Sequence, residues 1–174
     1  VPIVQKHMIK RCNELGKPVI TATQMLDSMQ ENPRPTRAEV SDVANAVFDG
    51  TDATMLSGES ANGDYPVESV AMMNAIDIKA ENHLWEFGTE TFDWDKSDTT
   101  ETIGSAVSNA AKDLDIHTIV AYTASGYTAK MISKYRPNAD IVALTPNERV
   151  ERGLMINWGV QPYVVDEMKN TDKM

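Results

Sequence analysis

Cysteine occurs once in the 174 residues, at Cys12. A single thiol excludes an internal disulfide framework and fits a reducing compartment, the cytoplasm. Basic residues are also scarce: 16 Lys and Arg against 26 Asp and Glu leave a net charge of −10, which disfavours nucleic acid and anionic membrane surfaces as partners. Aromatic residues make up only 6% of the chain and form no stripe interleaved with basic ones, the pattern a single-strand binder needs. No apolar run approaches the roughly 18–20 residues of a membrane span, and the first residues carry no signal-peptide pattern. The three histidines, His7, His83 and His117, lack metal-ligand spacing, so no metal site is read from this sequence.

What the chain does contain is a repeated alternation of strand and helix. Pro18–Ala22 and Asp52–Leu56 are short apolar runs, each opening into a polar loop. With about thirty residues between them, room for one helix, they predict parallel strands of a βαβ unit. The first run does not alternate, which predicts burial on both sides. Ahead of it, Val1, Val4, Met8, Cys12 and Leu15 recur at helical spacing and predict one buried stripe, ended by Gly16. Met25, Leu26 and Met29 predict packing in the first loop. Two prolines stiffen Asn32–Pro35, and Thr36-Arg37-Ala38-Glu39 then has the form of a capping box. The helix it starts turns Val40, Val43, Ala44, Val47 and Phe48 inward and stops at Gly50. Pro66 opens a further helix, to about Glu81.

Residues 83–98 change character. Trp85, Phe87, Phe92 and Trp94 stand among acidic residues without a clean period, as expected of a linker between domains. The second unit starts at a cap formed by Asp98 and Glu101, with Ile103, Val107, Ala110 and Leu114 as the buried helix face. Thr118–Tyr122, Asp140–Leu144 and Pro162–Val165 predict three strands, with helices near Ala129–Tyr135 and Glu148–Trp158 between them. This is a compact βαβαβ array with parallel strands and right-handed crossovers. The expected organisation is therefore a first domain over 1–82, a linker over 83–98 and a second domain over 99–174.

The runs ITATQMLDSM and NPRPTRAEVSDVANAVFDGTDATMLSGESANGDYP resemble the seventh and eighth strand–loop units of the pyruvate kinase barrel. Residues 99–174 resemble the front part of the same family's C-terminal regulatory domain. The resemblance implies an α/β fold, the C-terminal part of a (β/α)8 TIM barrel followed by a partial βαβαβ parallel-sheet domain with one open sheet edge. It implies an enzyme that transfers phosphoryl from phosphoenolpyruvate to ADP, giving pyruvate and ATP in glycolysis. Mg2+ or Mn2+ and K+ act in the parent homotetramer. The family's metal ligands, phosphoryl-transfer lysine and nucleotide-binding residues would precede Val1, so the chain is expected to be a fragment, inactive by itself. The alternative reading of the same loops is a non-catalytic phosphate-binding or interaction module.

Residue by residue, the resemblance makes Thr23 the catalytic hydroxyl that lies against the substrate, and Ser57 the serine near the proton-delivery water network. A hydroxyl at a strand end can donate to a carboxylate or relay a proton, although it can equally close its own turn. Glu59, beside Ser57, is expected to be a solvated carboxylate bonded to its own loop. Arg37 and Asp42 match a pair at the contact between neighbouring barrels, against the plainer reading of a surface arginine near a local acid. Thr123, Ser125, Gly126 and Thr128 follow a strand and open a helix, where hydroxyls and amides converge on an anion. The matching family loop holds a phosphate of a sugar-phosphate activator, but Tyr127 stands where animal members usually carry arginine.

Overall fold

The computed structural model describes residues 2–86 and 98–167, and the chain divides into two compact units, Val1–Thr91 and Phe92–Met174. Most of the expected linker, residues 87–97, lies outside the described residues; its start, Leu84–Glu86, is a short 3-10 turn.

The first unit runs α1 (Pro2–Glu14), β1 (Ile20–Thr21), a 3-10 turn at Asp27–Gln30, α2 (Arg37–Phe48), β2 (Ala53–Thr54), α3 (Gly58–Ala61) and α4 (Pro66–Glu81). β1 and β2 pair in parallel, Ile20 opposite Ala53 and Thr21 opposite Thr54. Side chains fix this register. The Val19 N–H donates to Asp52 Oδ2 at 2.9 Å, and the Thr21 hydroxyl donates to that of Thr51 at 2.9 Å. The strands are shorter than the predicted runs, and the expected two-sided burial fails at Ile20, which is 45% exposed. No third strand joins this sheet among the described residues.

The core of this unit is Met25, Leu26, Met29, Val43, Ala46, Met73 and Ile76, and the loop methionines do pack as predicted. The face predicted for α1 does not hold: Val4, Met8 and Leu15 are exposed, whereas Ile9 and Asn13 are buried. The contacts of α1 with the end of α2 set that face. Asn13 Nδ2 donates to the Gly50 carbonyl at 2.9 Å, and Lys6 pairs with Asp49.

α2 begins with the predicted capping box. Thr36 Oγ1 accepts from Glu39 N at 3.3 Å, and Glu39 Oε2 accepts from Thr36 N at 2.7 Å. The carboxylate does more than cap, because it also accepts from the Ser28 N–H at 2.7 Å and hydroxyl at 2.6 Å. One acid thus ties the helix start to the 3-10 turn that follows β1.

The second unit runs α5 (Thr99–Asp113), β3 (Thr118–Tyr122), α6 (Tyr127–Ser133), β4 (Asp140–Thr145), α7 (Glu148–Leu154) and β5 (Val160–Val164). The strands are parallel in the order β3-β4-β5, with Ile119 opposite Ile141 and Ile141 opposite Val160. Ile119, Ala121, Ala129, Ile132, Ile141, Ala143 and Leu154 form the core. Asp98 caps α5 as expected, accepting from Thr100 N and Glu101 N. The buried face of α5, however, is Gly104, Ser105, Ser108 and Ala111; of the predicted face Val107 packs against the core, while Ile103 and Leu114 are 52% and 70% exposed. The cause is a close approach of helices: a Cβ on Gly104 would lie 3.1 Å from the Met131 carbonyl of α6.

Burial works against the charge of Glu39, but the hydrogen bonds from Ser28 and Thr36 outweigh it and hold its pKa below the ordinary 4.5. A folded-state pKa lower than the unfolded one stabilises fully above the unfolded value, and that contribution is lost as pH falls through the folded value. Comparing Glu39→Gln with wild type by thermal melts should show a gap near pH 7 that narrows as the pH falls below the ordinary 4.5. A gap independent of pH would contradict this assignment.

Candidate functional site

The carboxyl ends of β1 and β2 lie side by side because the strands pair in parallel, and the Met55 N–H extends the pairing to the Thr21 carbonyl at 2.9 Å. Beyond Thr21 the chain turns sharply. Thr23 and Gln24 both lie in the left-handed region, with φ of 76° and 55°, and both side chains are exposed. That conformation is costly for a β-branched residue and persists only where the surroundings over-determine it. The loop is then pulled back into the core by Met25, Leu26 and Met29, which are 5%, 0% and 0% exposed.

The loop after β2 leads with Ser57, also exposed, and then buries Glu59, which is 1% exposed. Glu59 Oε2 accepts from its own loop, at Ser57 N (2.8 Å), and Oε1 accepts from the other loop, at Leu26 N (3.1 Å). The expectation of a solvated acid is therefore corrected: this carboxylate is buried and spans both strand ends. Burial of a charge is tolerable here because both oxygens have N–H donors. Close packing around it leaves little room. The Asp64 N–H donates to the Gln30 carbonyl at 2.8 Å, and a Cβ on Gly63 would lie 2.9 Å from the Glu59 carbonyl and 3.0 Å from Gln30 Cα.

Beneath β2, the Thr54 hydroxyl donates to Asp77 Oδ2 on α4 at 2.8 Å, and burial raises the pKa of that acid despite the hydrogen bond. The sequence gives no hint of this pair. Arg37 and Asp42 are exposed, while Val43, Ala46 and Val47 of the same helix are buried.

In the second unit the loop 123–128 joins β3 to α6. Thr123 is 4% exposed and its hydroxyl accepts from the Gly126 N–H at 2.9 Å; Gly126 has φ of 81°. A side chain there would be strained and would press on Val150 and Leu154. Ser125 is exposed, with its Oγ accepting from Tyr127 N at 3.4 Å, and Thr128 is half-buried. Thr123 therefore shapes the loop from inside, whereas Ser125 faces outward. Among the described residues, no group of three or more His, Cys, Asp or Glu side chains could hold a metal ion. No helix among them is long and apolar enough to cross a membrane.

Hydroxyls presented at the carboxyl ends of adjacent parallel strands place the first unit among α/β proteins whose chemistry collects at strand ends. Comparison with known proteins narrows the class. The family described as pyruvate kinase, barrel domain, matches residues 1–70, and pyruvate kinase, alpha/beta domain, matches residues 101–174. All of the chain aligns with a pyruvate kinase of Lactobacillus delbrueckii subsp. bulgaricus at 61% identity and with one of Clostridium acetobutylicum at 53%, covering 30% and 37% of those proteins. A crystal structure of a pyruvate kinase from Cryptosporidium parvum superimposes with a TM-score of 0.86 at 41% identity, over 98% of this chain and 36% of that one. The chain belongs to the pyruvate kinase family, and it spans about a third of the length of the curated relatives it matches. Its α/β fold is the C-terminal part of the family's barrel followed by part of its α/β domain.

Proposed function

We propose that this chain supplies the seventh and eighth strand–loop units, and the first part of the regulatory domain, of a cytoplasmic pyruvate kinase that makes pyruvate and ATP from phosphoenolpyruvate and ADP. In this reading the domains are residues 1–82 and 99–174. Mg2+ or Mn2+ and K+ belong to the whole tetrameric enzyme, with ligands outside the described residues. The observation that carries the reading is Thr23, exposed in a left-handed conformation in the loop after β1, with Ser57 exposed in the loop after β2, the strand that pairs in parallel with β1.

In the reaction the bond between phosphorus and the enol oxygen breaks, and a bond from phosphorus to the terminal phosphate oxygen of ADP forms. The electron pair left on the enol oxygen makes the enolate of pyruvate, which takes a proton at its methylene carbon. The role assigned to Thr23 is to orient the substrate and hand a proton toward that carbon. Ser57 holds the water that resupplies it, since a hydroxyl both donates and accepts. Strain stored in the Thr23 backbone suits a group held in place for catalysis rather than one closing an ordinary turn.

The outward-facing Ser125 and the half-buried Thr128, in the loop that Thr123 and Gly126 shape, are assigned to one phosphate of a sugar-phosphate effector. Arg37 and Asp42, exposed on α2, are assigned to the contact between subunits.

In the full-length enzyme, Thr23→Ala should lower kcat by about 10²-fold, with a smaller change in KM for phosphoenolpyruvate. An unchanged kcat with only a lower melting temperature would make this hydroxyl structural. Replacing Ser125 and Thr128 together by alanine should abolish activation by whichever phosphosugar activates the parent while leaving unactivated turnover nearly intact. Activation curves with fructose 1,6-bisphosphate, ribose 5-phosphate and glucose 6-phosphate on both forms measure this; a normal response in the double variant reduces the loop to a helix cap.

A further inference from the structure

Glu59 lies in the loop after β2, two residues past Ser57, and its carboxylate reaches the loop after β1 that carries Thr23. The segment from Ala22 to Leu26 must hold two consecutive non-glycine residues, Thr23 and Gln24, at positive φ. Such a turn relaxes unless both of its ends are fixed. One end is held by strand pairing, through the Met55 N–H on the Thr21 carbonyl. The other is held at Leu26, whose side chain is wholly buried and whose N–H donates to Glu59 Oε1 at 3.1 Å. The second oxygen of the same carboxylate takes the Ser57 N–H at 2.8 Å. A carboxylate is the side chain suited to this place, because both of its oxygens only accept when it is ionised.

We propose that Glu59 is a positioning residue for the proton-transfer step, holding Thr23 and Ser57 in their working arrangement by accepting one backbone N–H from each strand-end loop. The inference rests on the roles given to Thr23 and Ser57 above. Glu59 touches neither substrate nor the transferred proton; it acts through the two loops. Replacing it by glutamine keeps its volume but turns an NH2 group toward one of the two N–H donors, so one link is broken.

The test compares wild type, Thr23→Ala, Glu59→Gln and the double variant in the full-length enzyme, reading kcat, KM for phosphoenolpyruvate, and exchange of pyruvate methyl hydrogens with D2O. Glu59→Gln should lower kcat and the exchange rate in parallel, by about 10-fold or more, with KM changed by less than about 3-fold. The double variant should be no slower than Thr23→Ala, since residues acting as a unit are not additive. Independent, additive losses, or a kcat unaffected by Glu59→Gln, overturn the positioning role while leaving the assignment of Thr23 intact. A Thr23→Ala enzyme of normal kcat overturns both. If Glu59→Gln does not fold, amide hydrogen exchange on the wild-type enzyme decides: protected Leu26 and Ser57 N–H groups support the brace, and exchange at the rate of unbonded amides overturns it.

Discussion

A carboxylate that is 1% exposed and joined to backbone N–H groups on two separate loops is the constraint on which the site in the first unit depends. Removing a charged group from water costs several kcal/mol, so the arrangement is stable only while both loops present their donors. The dependence also runs the other way. The loop after β1 carries strained backbone at Thr23 and Gln24, and the buried carboxylate together with the Met25, Leu26 and Met29 anchor keeps it from relaxing. Packing leaves no slack, because Gly63 sits directly on Gln30 and on the Glu59 carbonyl. Two strand ends are thus joined by a residue in neither strand, and in the proposed function this is what holds the Thr23 hydroxyl to the tolerance of a proton transfer.

The same logic recurs in the second unit with different partners. The buried Lys134 and the half-buried Glu101 form an ion pair at 2.6 Å, and the Tyr135 hydroxyl donates to the other Glu101 oxygen at 2.8 Å. Burial, and then the bond to Glu101, push the Tyr135 phenol well above its ordinary range, so it stays a donor throughout the physiological range. These contacts join the start of α5 to the end of α6, two helices brought close by the small residues Gly104, Ser105 and Ser108. The close helix packing and the polar cluster thus occupy the same contact.

Much of this architecture was legible in the sequence, and the residues show why. The Thr36–Glu39 capping box and the Asp98 cap depend on neighbours within one turn, so local spacing suffices to read them. β3 occupies the predicted Thr118–Tyr122 span and β4 extends one residue past the predicted end, while β5, at Val160–Val164, starts two residues before the predicted Pro162. The buried faces of α1 and α5 were misread for a common reason. A stripe of large apolar residues marks the inner face only where large residues are what the neighbour accepts. α5 meets its neighbour through glycine, serine and alanine, and α1 through Asn13. The roles expected of Thr23 and Ser57 come from the family resemblance rather than from composition or period. Glu59 was seen but misjudged, since a glutamate between Gly58 and Ser60 reads as a surface loop, and only the fold reveals the second loop it holds.

The central claim is that the strand-end loops of the first unit form one braced site for pyruvate, with Thr23 against the substrate and Glu59 behind it. The measurement that tests this most directly is a crystal structure of the full-length enzyme with pyruvate bound. The account predicts the Thr23 hydroxyl within hydrogen-bonding reach of the bound molecule, about 2.6–3.2 Å, with Thr23 still at positive φ and Glu59 still accepting from Leu26 and Ser57. Pyruvate bound away from the ends of β1 and β2, or a relaxed Thr23 with Glu59 turned to solvent, would contradict it.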